Sequence, residues 1–461
     1  MADSCKRTAG ILAGILLVLT PACPVLAQRT NVYSLSALVD SARRHLPLLL
    51  EKQALVESAK AGITEAKNDF LPQLNAVEEL SVGSANDLTG PFLPVPGVLH
   101  SIAGSINKSS NYQAVTGNMA SIYGQYDLVT FGLKDAKIAN ARAVAGLTQA
   151  DLDKERYLVS WDIARLYFNI LSHRYQLTVD EEDVRRYDSM YTISTALTGS
   201  GVNPGVDSSL ARAGLSRTRV KYNEALGALE RLQDQLAYLT GIDEPAIAMD
   251  TSTATPALDL SQENAANPLL DYFARQKAQY NAQELLARKS YLPRVVVGAG
   301  GWARGSSIQY SNVYENASEG LGYQRLNYLA GVGITYDLFN GVHRHDRTQV
   351  LNQQVQAADY ALQQQQLSLH NQQVQADESI RTARANLDEL PAQLKAATDA
   401  YQTKLAQYRA GIINLVDVLT AAFELTQAQT GYIQTLNEWH IASLDKAAAT
   451  GNLDLFIQMI K

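Results

Sequence analysis

The chain has 461 residues, a net charge of −7 at pH 7 and only two cysteines, Cys5 and Cys23. The acidic balance disfavours a nucleic-acid-binding protein, which needs a basic face. Because both cysteines lie near the N-terminus, the rest of the chain has no thiol for disulfide, redox or thiolate–metal chemistry. The fold must therefore be stabilised by packing and assembly.

Residues 1–27 have the pattern of a secretory signal peptide. A basic pair precedes the apolar run at 10–19, and small residues end in Ala27. The run is too short to span a bilayer as a stable helix. We therefore predict export, with cleavage after Ala27. A lipid-bearing Cys23 is the alternative, although the residues before it make a weak lipobox.

The predicted helices form two long and four short segments. The long segments, 133–198 and 342–408, are rich in Ala, Leu, Gln and Arg, and each corresponds to a helix of ~100 Å. The four short segments are 34–70, 206–239, 262–291 and 412–449. Taken in pairs, the short segments match the length of one long helix. This match predicts two short helices stacked end to end beside each long one.

The second long segment contains the seam of a coiled coil, with apolar residues three and four apart. The seam comprises Ile380, Ala383, Leu387, Leu390, Leu394, Ala397, Tyr401, Leu405 and Tyr408. Pro391 interrupts this segment and removes one helix hydrogen bond. We expect either a kink at Pro391 or an outward-facing position.

Two strand hairpins are predicted between the helices, with long external loops at 84–112 and 303–322. The strands are 74–83, 120–128, 294–302 and 328–338. One face of the last strand is apolar and the other small or polar, which fits a lipid-facing strand and equally a half-buried strand over a soluble core. Four strands cannot close a barrel, and open edges are not tolerated in lipid. A membrane role would therefore require an oligomer.

A short pattern occurs twice, as GVNPGVD at 201–207 and GIINLVD at 411–417. The same offset of 210 residues relates Tyr126 to Tyr336 and the Thr-Gly pair at 240–241 to the pair at 450–451. This agreement predicts an internal duplication. The first repeat is 28–241. The second is 242–461 and includes an equatorial segment and a short C-terminal tail.

These motifs, in this order, resemble the TolC family of outer-membrane efflux proteins. The resemblance covers nearly all of the mature chain. It rests on the two helix–Leu-Pro–strand junctions, on YDLVTFG and YDLFNG before the long helices, on the two Thr-Gly helix ends, and most specifically on YRAGIINLVDVL at 408–419. It implies an α+β fold with four strands per subunit. In a homotrimer these strands form a twelve-strand transmembrane β-barrel, continuous with a long α-helical coiled-coil barrel.

The resemblance also implies a function and partners. The protein would be the exit duct of a tripartite efflux or type I secretion system. It would lie in the outer membrane of a Gram-negative bacterium, with its strands in contact with lipid and its helices in the periplasm. A periplasmic adaptor would join it to an inner-membrane pump. No cofactor or catalytic residue is implied, and the cargo is left open.

The two Gly-x5-Asp turns match the gated periplasmic tips of the family. The resemblance assigns the gate to Gly201, Asp207, Tyr408, Gly411 and Asp417, and adaptor contacts to Ser209, Leu210, Leu419 and Ala421. Rings of three carboxylates would favour cations. The alternative is that both aspartates are ordinary first-turn helix charges. Ile413 and Thr420 stand where some members carry a basic and an acidic residue, so the salt-bridge network of the gate is left open.

Two other classes of function fit the sequence less well. A periplasmic or surface coiled-coil structural protein explains the signal and the heptads but not the duplicated hairpins. The sequence has no G-x-S-x-G, P-loop or H-E-x-x-H motif, which argues against an enzyme. His343 and His345 are two residues apart at a helix start and do not share a face, which argues against a metal site.

Overall fold

A computed structural model describes residues 32–86, 109–201, 204–243, 246–247, 266–309 and 313–460. The predicted signal peptide, Cys23 and most of the predicted loop at 84–112 lie outside these residues. The described helices are α1 (Leu35–His45), α2 (Pro47–Asn68), α3 (Leu133–Gly199), α4 (Gly205–Thr240), α5 (Pro268–Ser290), α6 (Asn340–Arg409), α7 (Leu415–Thr450) and α8 (Leu453–Met459). The described strands are β1 (Val32–Tyr33), β2 (Gln73–Gly83), β3 (Val115–Val129), β4 (Ala246–Ile247), β5 (Arg294–Ser306), β6 (Ile308–Gln309), β7 (Val313–Tyr314) and β8 (Arg325–Thr335).

The first predicted helix is divided in the structure. The sequence predicted one helix over 34–70, but α1 ends at His45 and α2 begins at Pro47. Leu46 between them is extended, with φ −68° and ψ 117°. A residue before proline is driven out of the helical conformation, and proline is well suited to the first position of a new helix. The single-helix prediction was therefore wrong at this point.

The long helices organise the molecule as one layer. Helices α2 and α4 pack on α3, while α5 and α7 pack on α6, and α3 also contacts both α5 and α7. The stacked arrangement predicted from helix lengths is confirmed, but α1 is not part of it. Without α1, the two stacks are nearly equal, with 22 and 36 residues in one and 23 and 36 in the other.

The main sheet continues the same order of neighbours. Its four antiparallel strands are ordered β2-β3-β5-β8, which matches the order α2-α3-α5-α6 of the helices next to them. The predicted α+β class and the four strands per chain are confirmed. Within the described residues, β2 and β8 form the two edges of this sheet and do not pair with each other.

The register of the sheet separates an apolar face from a polar one. Tyr328 lies opposite Gly301, while the next residue, Leu329, lies opposite Gly300 on the other face. On the apolar face of β8, Tyr328, Val332 and Ile334 are each at least 70% exposed. Such side chains in a single chain require a covering of lipid or protein.

The segment after β5 differs from the predicted loop at 303–322. Strand β5 continues to Ser306, and a 3-10 helix forms at Ala317–Leu321. This segment folds back on β3, where the Thr116 hydroxyl donates to the Ala317 carbonyl over 2.5 Å and the Asn118 amide donates to the Leu321 carbonyl over 2.8 Å. Hydrogen bonds to β3 therefore hold part of what was predicted as a long external loop.

The predicted duplication appears in the return helices. Helices α4 and α7 each have 36 residues, and their ends are related by the offset of 210. Each ends at a glycine in the left-handed region, Gly241 with φ 66° and Gly451 with φ 81°. Glycine is the usual residue at this position because its lack of a Cβ removes the strain.

The predicted seam of α6 faces its neighbours. Every residue of the seam is buried or half-buried, and the helix runs through Pro391 without a break. Pro391 itself is exposed. The outward-facing option for this proline is therefore confirmed, since water replaces the partner that the preceding turn loses.

A cluster that we call the girdle core packs on one side of α3 at its middle. Helix α1 contributes Leu38, α8 contributes Phe456, and both pack with Ile163 and Phe168 of α3. Leu236 of α4 and Leu444 of α7 complete its centre, and both are fully buried. The girdle core is thus where the two structural repeats and the C-terminal helix meet.

His440 lies at the girdle core and predicts a dependence of stability on pH. Its ring stacks on Phe168 with centroids 4.8 Å apart, and burial lowers its pKa to about 4. The unfolded chain binds this proton below about pH 6.5, whereas the folded chain does not bind it until about pH 4. Its contribution to stability is therefore complete above pH 6.5 and is lost as the pH falls, by on the order of 2 kcal/mol at pH 5.

His440→Phe should keep the stacked ring and remove this proton. We expect the unfolding temperature to fall less between pH 7 and pH 5 in this variant than in the native protein. The exposed His370, changed to glutamine, serves as the control and should leave the native pH dependence intact. Identical pH profiles for His440→Phe and the native protein would contradict the assignment.

Candidate functional site

The chain turns back on itself after each of the two long helices. Both reversals lie at one end of the molecule, which we call the tip. In the turn after α3, Gly201 has φ 76° and its amide donates to the Thr198 carbonyl over 3.0 Å. In the turn after α6, Gly411 has φ 71° and its amide donates to the Tyr408 carbonyl over 3.0 Å. Both positions need the left-handed conformation that glycine adopts without strain. The two predicted turn glycines thus have the same structural role.

Asp207 and Asp417 occupy the third position of the two return helices. The Asp417 amide donates to the side chain of Asn414, the N-cap of α7, over 3.0 Å. Helix α4 begins after Pro204 without a side-chain cap, and the Asp207 amide donates to the Pro204 carbonyl over 3.1 Å. A carboxylate in the first turn interacts favourably with the helix dipole. This geometry supports the helix-start role for both aspartates.

The two aspartates differ in accessibility. Asp207 is only 9% exposed, whereas Asp417 is half-buried. Of the two, Asp417 is the residue whose charge can act more directly on solvent and ions at the tip.

A second hydrophobic core, which we call the tip cluster, joins both hairpins. Its members come from α3, α4, α6 and α7, and they are Tyr187, Met190, Ala211, Leu215, Tyr401, Tyr408, Leu415, Val418, Ala421, Ala422 and Leu425. Tyr408 is fully buried and is one of the largest such side chains in the described residues. Burial is the main cause that raises the pKa of the Tyr187 and Tyr401 hydroxyls. The cluster is therefore apolar and uncharged near neutral pH.

The tip cluster depends on one close contact between α3 and α4. A Cβ atom on Gly214 would lie 2.6 Å from Cε1 of Tyr187, which is shorter than any real carbon contact. The missing side chain at Gly214 is therefore what lets the Tyr187 ring lie so close to α4. Any larger residue would have to push this buried ring out of its place.

A buried polar group above the tip, which we call the α3–α7 network, was not predicted from the sequence. Asp183 is 5% exposed and accepts from the Thr426 hydroxyl over 2.8 Å and from Arg186 Nη2 over 3.1 Å. Arg186 Nη2 also donates to Gln429 Oε1 over 3.1 Å. Two residues of α3 thus bind two residues of α7, ~24 Å from the end of α3. The signal in the sequence was the EEDVRR run, which places Asp183 and Arg186 three residues apart.

The predicted adaptor residues divide into exposed and buried positions. Ser209 and Leu210 are exposed on α4, and Leu419 is half-buried. Ala421 is 6% exposed and belongs to the tip cluster, so its side chain is packed inside the chain. Other apolar side chains are accessible at the tip instead, and they are Val206, Ile412, Val416 and Phe423.

The two departures from the family pattern also have clear positions. Ile413 is half-buried and packs against the tip cluster, so an apolar contact stands where a basic gate residue was expected in some members. Thr420 is exposed and donates to the Val416 carbonyl of its own helix over 2.9 Å. Neither residue can take part in a salt bridge at the tip.

In the described part of the chain, no group of three or more His, Cys, Asp or Glu side chains has the arrangement of a metal site. Among the same residues, no helix combines the length and the hydropathy needed to cross a bilayer.

Comparison with known proteins identifies the family. The family model described as outer membrane efflux protein matches residues 38–242 and 260–452. No curated protein sequence matches the chain. Among solved structures, VceC of Vibrio cholerae is 15% identical with a TM-score of 0.72, and the match covers 90% of this chain and 96% of VceC.

Two further solved structures are similar to this chain. The CmeC outer membrane channel of Campylobacter jejuni is 16% identical with a TM-score of 0.72, over 91% of this chain and 86% of CmeC. The open state of the MtrE outer membrane channel of Neisseria gonorrhoeae is 17% identical with a TM-score of 0.68, over 91% of this chain and 89% of MtrE. These likenesses establish the fold, and the family match covers most of the chain. The chain belongs to the outer membrane efflux protein family, a family of transport channels, and is an exit duct of an outer-membrane efflux system.

Proposed function

We propose that three copies of this chain form one continuous duct, with a twelve-strand barrel in the outer membrane and a helical tunnel in the periplasm. The observation that carries the proposal is the single-layer order of the chain. Strand β2 and helices α2 and α4 lie along one edge, and β8 and α6 lie along the other. The unpaired strand edges are satisfied when the first edge of one copy pairs with the second edge of the next, and the apolar face of β8 is then in contact with lipid.

The number of copies follows from the strands needed to close a barrel and from the resemblance to the TolC family. One chain supplies four strands, and a barrel needs about eight or more. The resemblance to the TolC family implies three copies and therefore twelve strands. We expect the purified protein to be a trimer in detergent, as measured by light scattering with correction for bound detergent. A monodisperse monomer would contradict the barrel, and release of the protein by osmotic shock would favour the structural coiled-coil alternative.

The tip is the proposed gate of this duct. Tyr408 anchors the α6–α7 hairpin in the tip cluster, and the α3–α7 network binds the same pair of hairpins farther up. A closed tip then requires only that the hairpins of three copies converge on the axis. Asp417 and Asp207 would form carboxylate rings there, with Asp417 the more accessible ring. Such rings attract cations and repel anions.

The proposed partners are a periplasmic adaptor and, through it, an inner-membrane pump of an efflux or type I secretion system. Exposed apolar and hydroxyl side chains at the tip support docking there, and Ser209 and Val416 represent the two hairpins. We expect cysteines at these two positions to crosslink to a co-expressed adaptor when a reagent that joins a thiol to a lysine amine is added. The readout is the yield of the crosslinked species on a non-reducing gel.

Two variants serve as controls for this docking. Thr178 is exposed on α3, ~30 Å from the tip, and a cysteine there should give little product. Ala421→Cys lies at the tip but is buried, so it should also fail to react. Equal yields at Ser209, Val416 and Thr178 would remove the tip as the docking surface.

A further inference from the structure

A large cavity lies between α3, α6 and α7 near the middle of the helical part. Its volume is about 840 Å³, which is within the range of pockets for drug-sized molecules. Its lining includes Trp161 and Arg165 of α3, Leu369 of α6, and Asn437, Glu438 and Asp445 of α7. No step of the proposed gating or docking uses these residues.

The cavity borders the girdle core and extends away from α1 and α8. Tyr157 belongs to both, and Trp161 and Ile441 line the cavity while they pack against the core. Helices α1 and α8 meet α3 at Ser160, because Arg43 of α1 donates to the Ser160 hydroxyl and to Asp454 of α8. At 100° per residue, Arg165 lies ~140° around α3 from Ser160. The cavity therefore extends toward the side of the layer that α1 and α8 leave bare. In the proposed trimeric duct, on which this inference rests, the bare side is the wall of the tunnel.

The lining carries an excess of negative charge next to an aromatic ring. Asp445, Glu438 and Glu378 face the cavity together with a single cation, Arg165. The indole nitrogen of Trp161 donates to Asp445 Oδ1 over 2.9 Å. Arg165 lies over one face of the Trp161 ring, 5.2 Å from its centre. An aromatic side chain beside carboxylates is the usual means of binding an organic cation.

A neighbouring cavity also has acidic and aromatic side chains in its lining. It lies between α3 and α4, has a volume of about 690 Å³, and is lined by Asp162, Asp234 and the exposed ring of Tyr238. Arg165 borders both cavities and is the one cation among their lining residues. The wall at this level is therefore acidic and aromatic over a continuous surface.

One polar atom in the first cavity lacks a partner. The side-chain amide of Asn437 donates to Asn169 Oδ1 over 3.3 Å, while Asn437 Oδ1 is buried and accepts no hydrogen bond in the described residues. A buried acceptor without a donor is costly. A ligand with an N–H group, such as an aromatic amine, would satisfy it.

We propose that this cavity is a contact site on the tunnel wall for drug-sized planar organic cations. The apolar side chains Leu369 and Ile441 receive the ring system, and the carboxylates of Asp445 and Glu438 face its positive charge. In the trimer the site is present three times at one level. It lies far from the tip, so it acts on cargo already inside the duct.

The test is equilibrium dialysis of ethidium, a planar aromatic cation, against the purified full-length protein in a neutral detergent. Fluorescein serves as an anionic dye of similar size. We expect ethidium to bind and fluorescein to bind at least tenfold more weakly. The variant Asp445→Asn with Glu438→Gln should weaken ethidium about tenfold, because two nearby charges are removed. Folding should survive, since an asparagine oxygen still accepts from Trp161.

A matched variant controls for overall charge. Asp388→Asn with Glu389→Gln removes two exposed acids of α6 that do not line the cavity, and it should leave ethidium binding unchanged. Equal loss in both double variants, or equal binding of both dyes, would overturn the site. Light scattering on the same samples reports the assembly. A trimer that does not bind ethidium overturns the site alone. A monomer overturns the duct, while the dialysis still decides whether the cavity takes the cation.

Discussion

Replacing Arg186 by methionine should loosen the tip and cost about 3–5 kcal/mol of stability. The Arg186 and Asp183 side chains are only 13% and 7% exposed, and the change leaves the Asp183 carboxylate buried without its cation. It also removes the donor to Gln429 of α7. We expect a lower temperature of trimer dissociation and faster cleavage of the tip by an added protease.

Two variants separate the lost pairing from a general effect of substitution. Asp183→Leu with Arg186→Met removes both charges, and it should recover much of the stability because no buried charge is left unpaired. Arg185→Met breaks only the exposed pair with Glu181 and should cost well under about 1 kcal/mol. If the single Arg186 variant and the double variant were equally unstable, the pairing of charges would not be the cause.

Asp417→Asn should lower the cation selectivity of the channel in planar bilayers and weaken its block by multivalent cations. Three carboxylates that converge near one axis interact strongly with any ion that passes. The fold should survive, since the N-cap of α7 is Asn414 and the lost dipole interaction is worth about 0.3–1 kcal/mol. Asp207→Asn should have the smaller effect because Asp207 is 9% exposed, and the double variant should have the largest.

The control for this experiment must be an exposed acid away from the tip. Asp388 meets that condition, and Asp388→Asn should change selectivity little. Asp183 does not meet it, because that carboxylate is part of the α3–α7 network. Equal changes for Asp388 and Asp417, or no change for the Asp207 and Asp417 pair in intact trimers, would leave both aspartates as plain helix-start residues.

The ends of the elements were predictable wherever a strong local signal occurred. Helix α4 was predicted at 206–239 and occupies Gly205–Thr240, since Gly241 in the left-handed region ends it. The break between α1 and α2 was missed because Pro47 lies inside an otherwise helical pattern, although proline at this position marks the start of a new helix. Pro391 shows the opposite case, in which proline stays within one helix because its position is exposed.

The turns of the candidate site were predictable from the sequence. The contacts between its neighbouring helices were less predictable. Gly201 and Gly411 could be found from the repeat alone, because a tight reversal after a long helix needs a positive φ. The partners of Asp183 could not be found, since they depend on which face of α3 meets α7. Ala421 was placed on the surface, yet its spacing from Val418 and Leu425 is that of one buried stripe. The position of Ala421 around the axis of α7, on the same side as Val418 and Leu425, would have predicted its burial.

The equal lengths of α4 and α7 bear on how many partners the duct can hold. Each chain has two reversals that contain a left-handed glycine and lead into return helices of equal length, so the proposed trimer would present a pseudo-sixfold crown of helix ends at its tip. The side chains reduce that symmetry to threefold, because one reversal begins its helix with Pro204 and the other with the capping Asn414. A partner that recognises the backbone has six equivalent binding sites. A partner that recognises side chains has three sites at the α3–α4 hairpins and three different sites at the α6–α7 hairpins. The number of partner molecules bound to each trimer therefore indicates whether the partner recognises the backbone or the side chains of the hairpins.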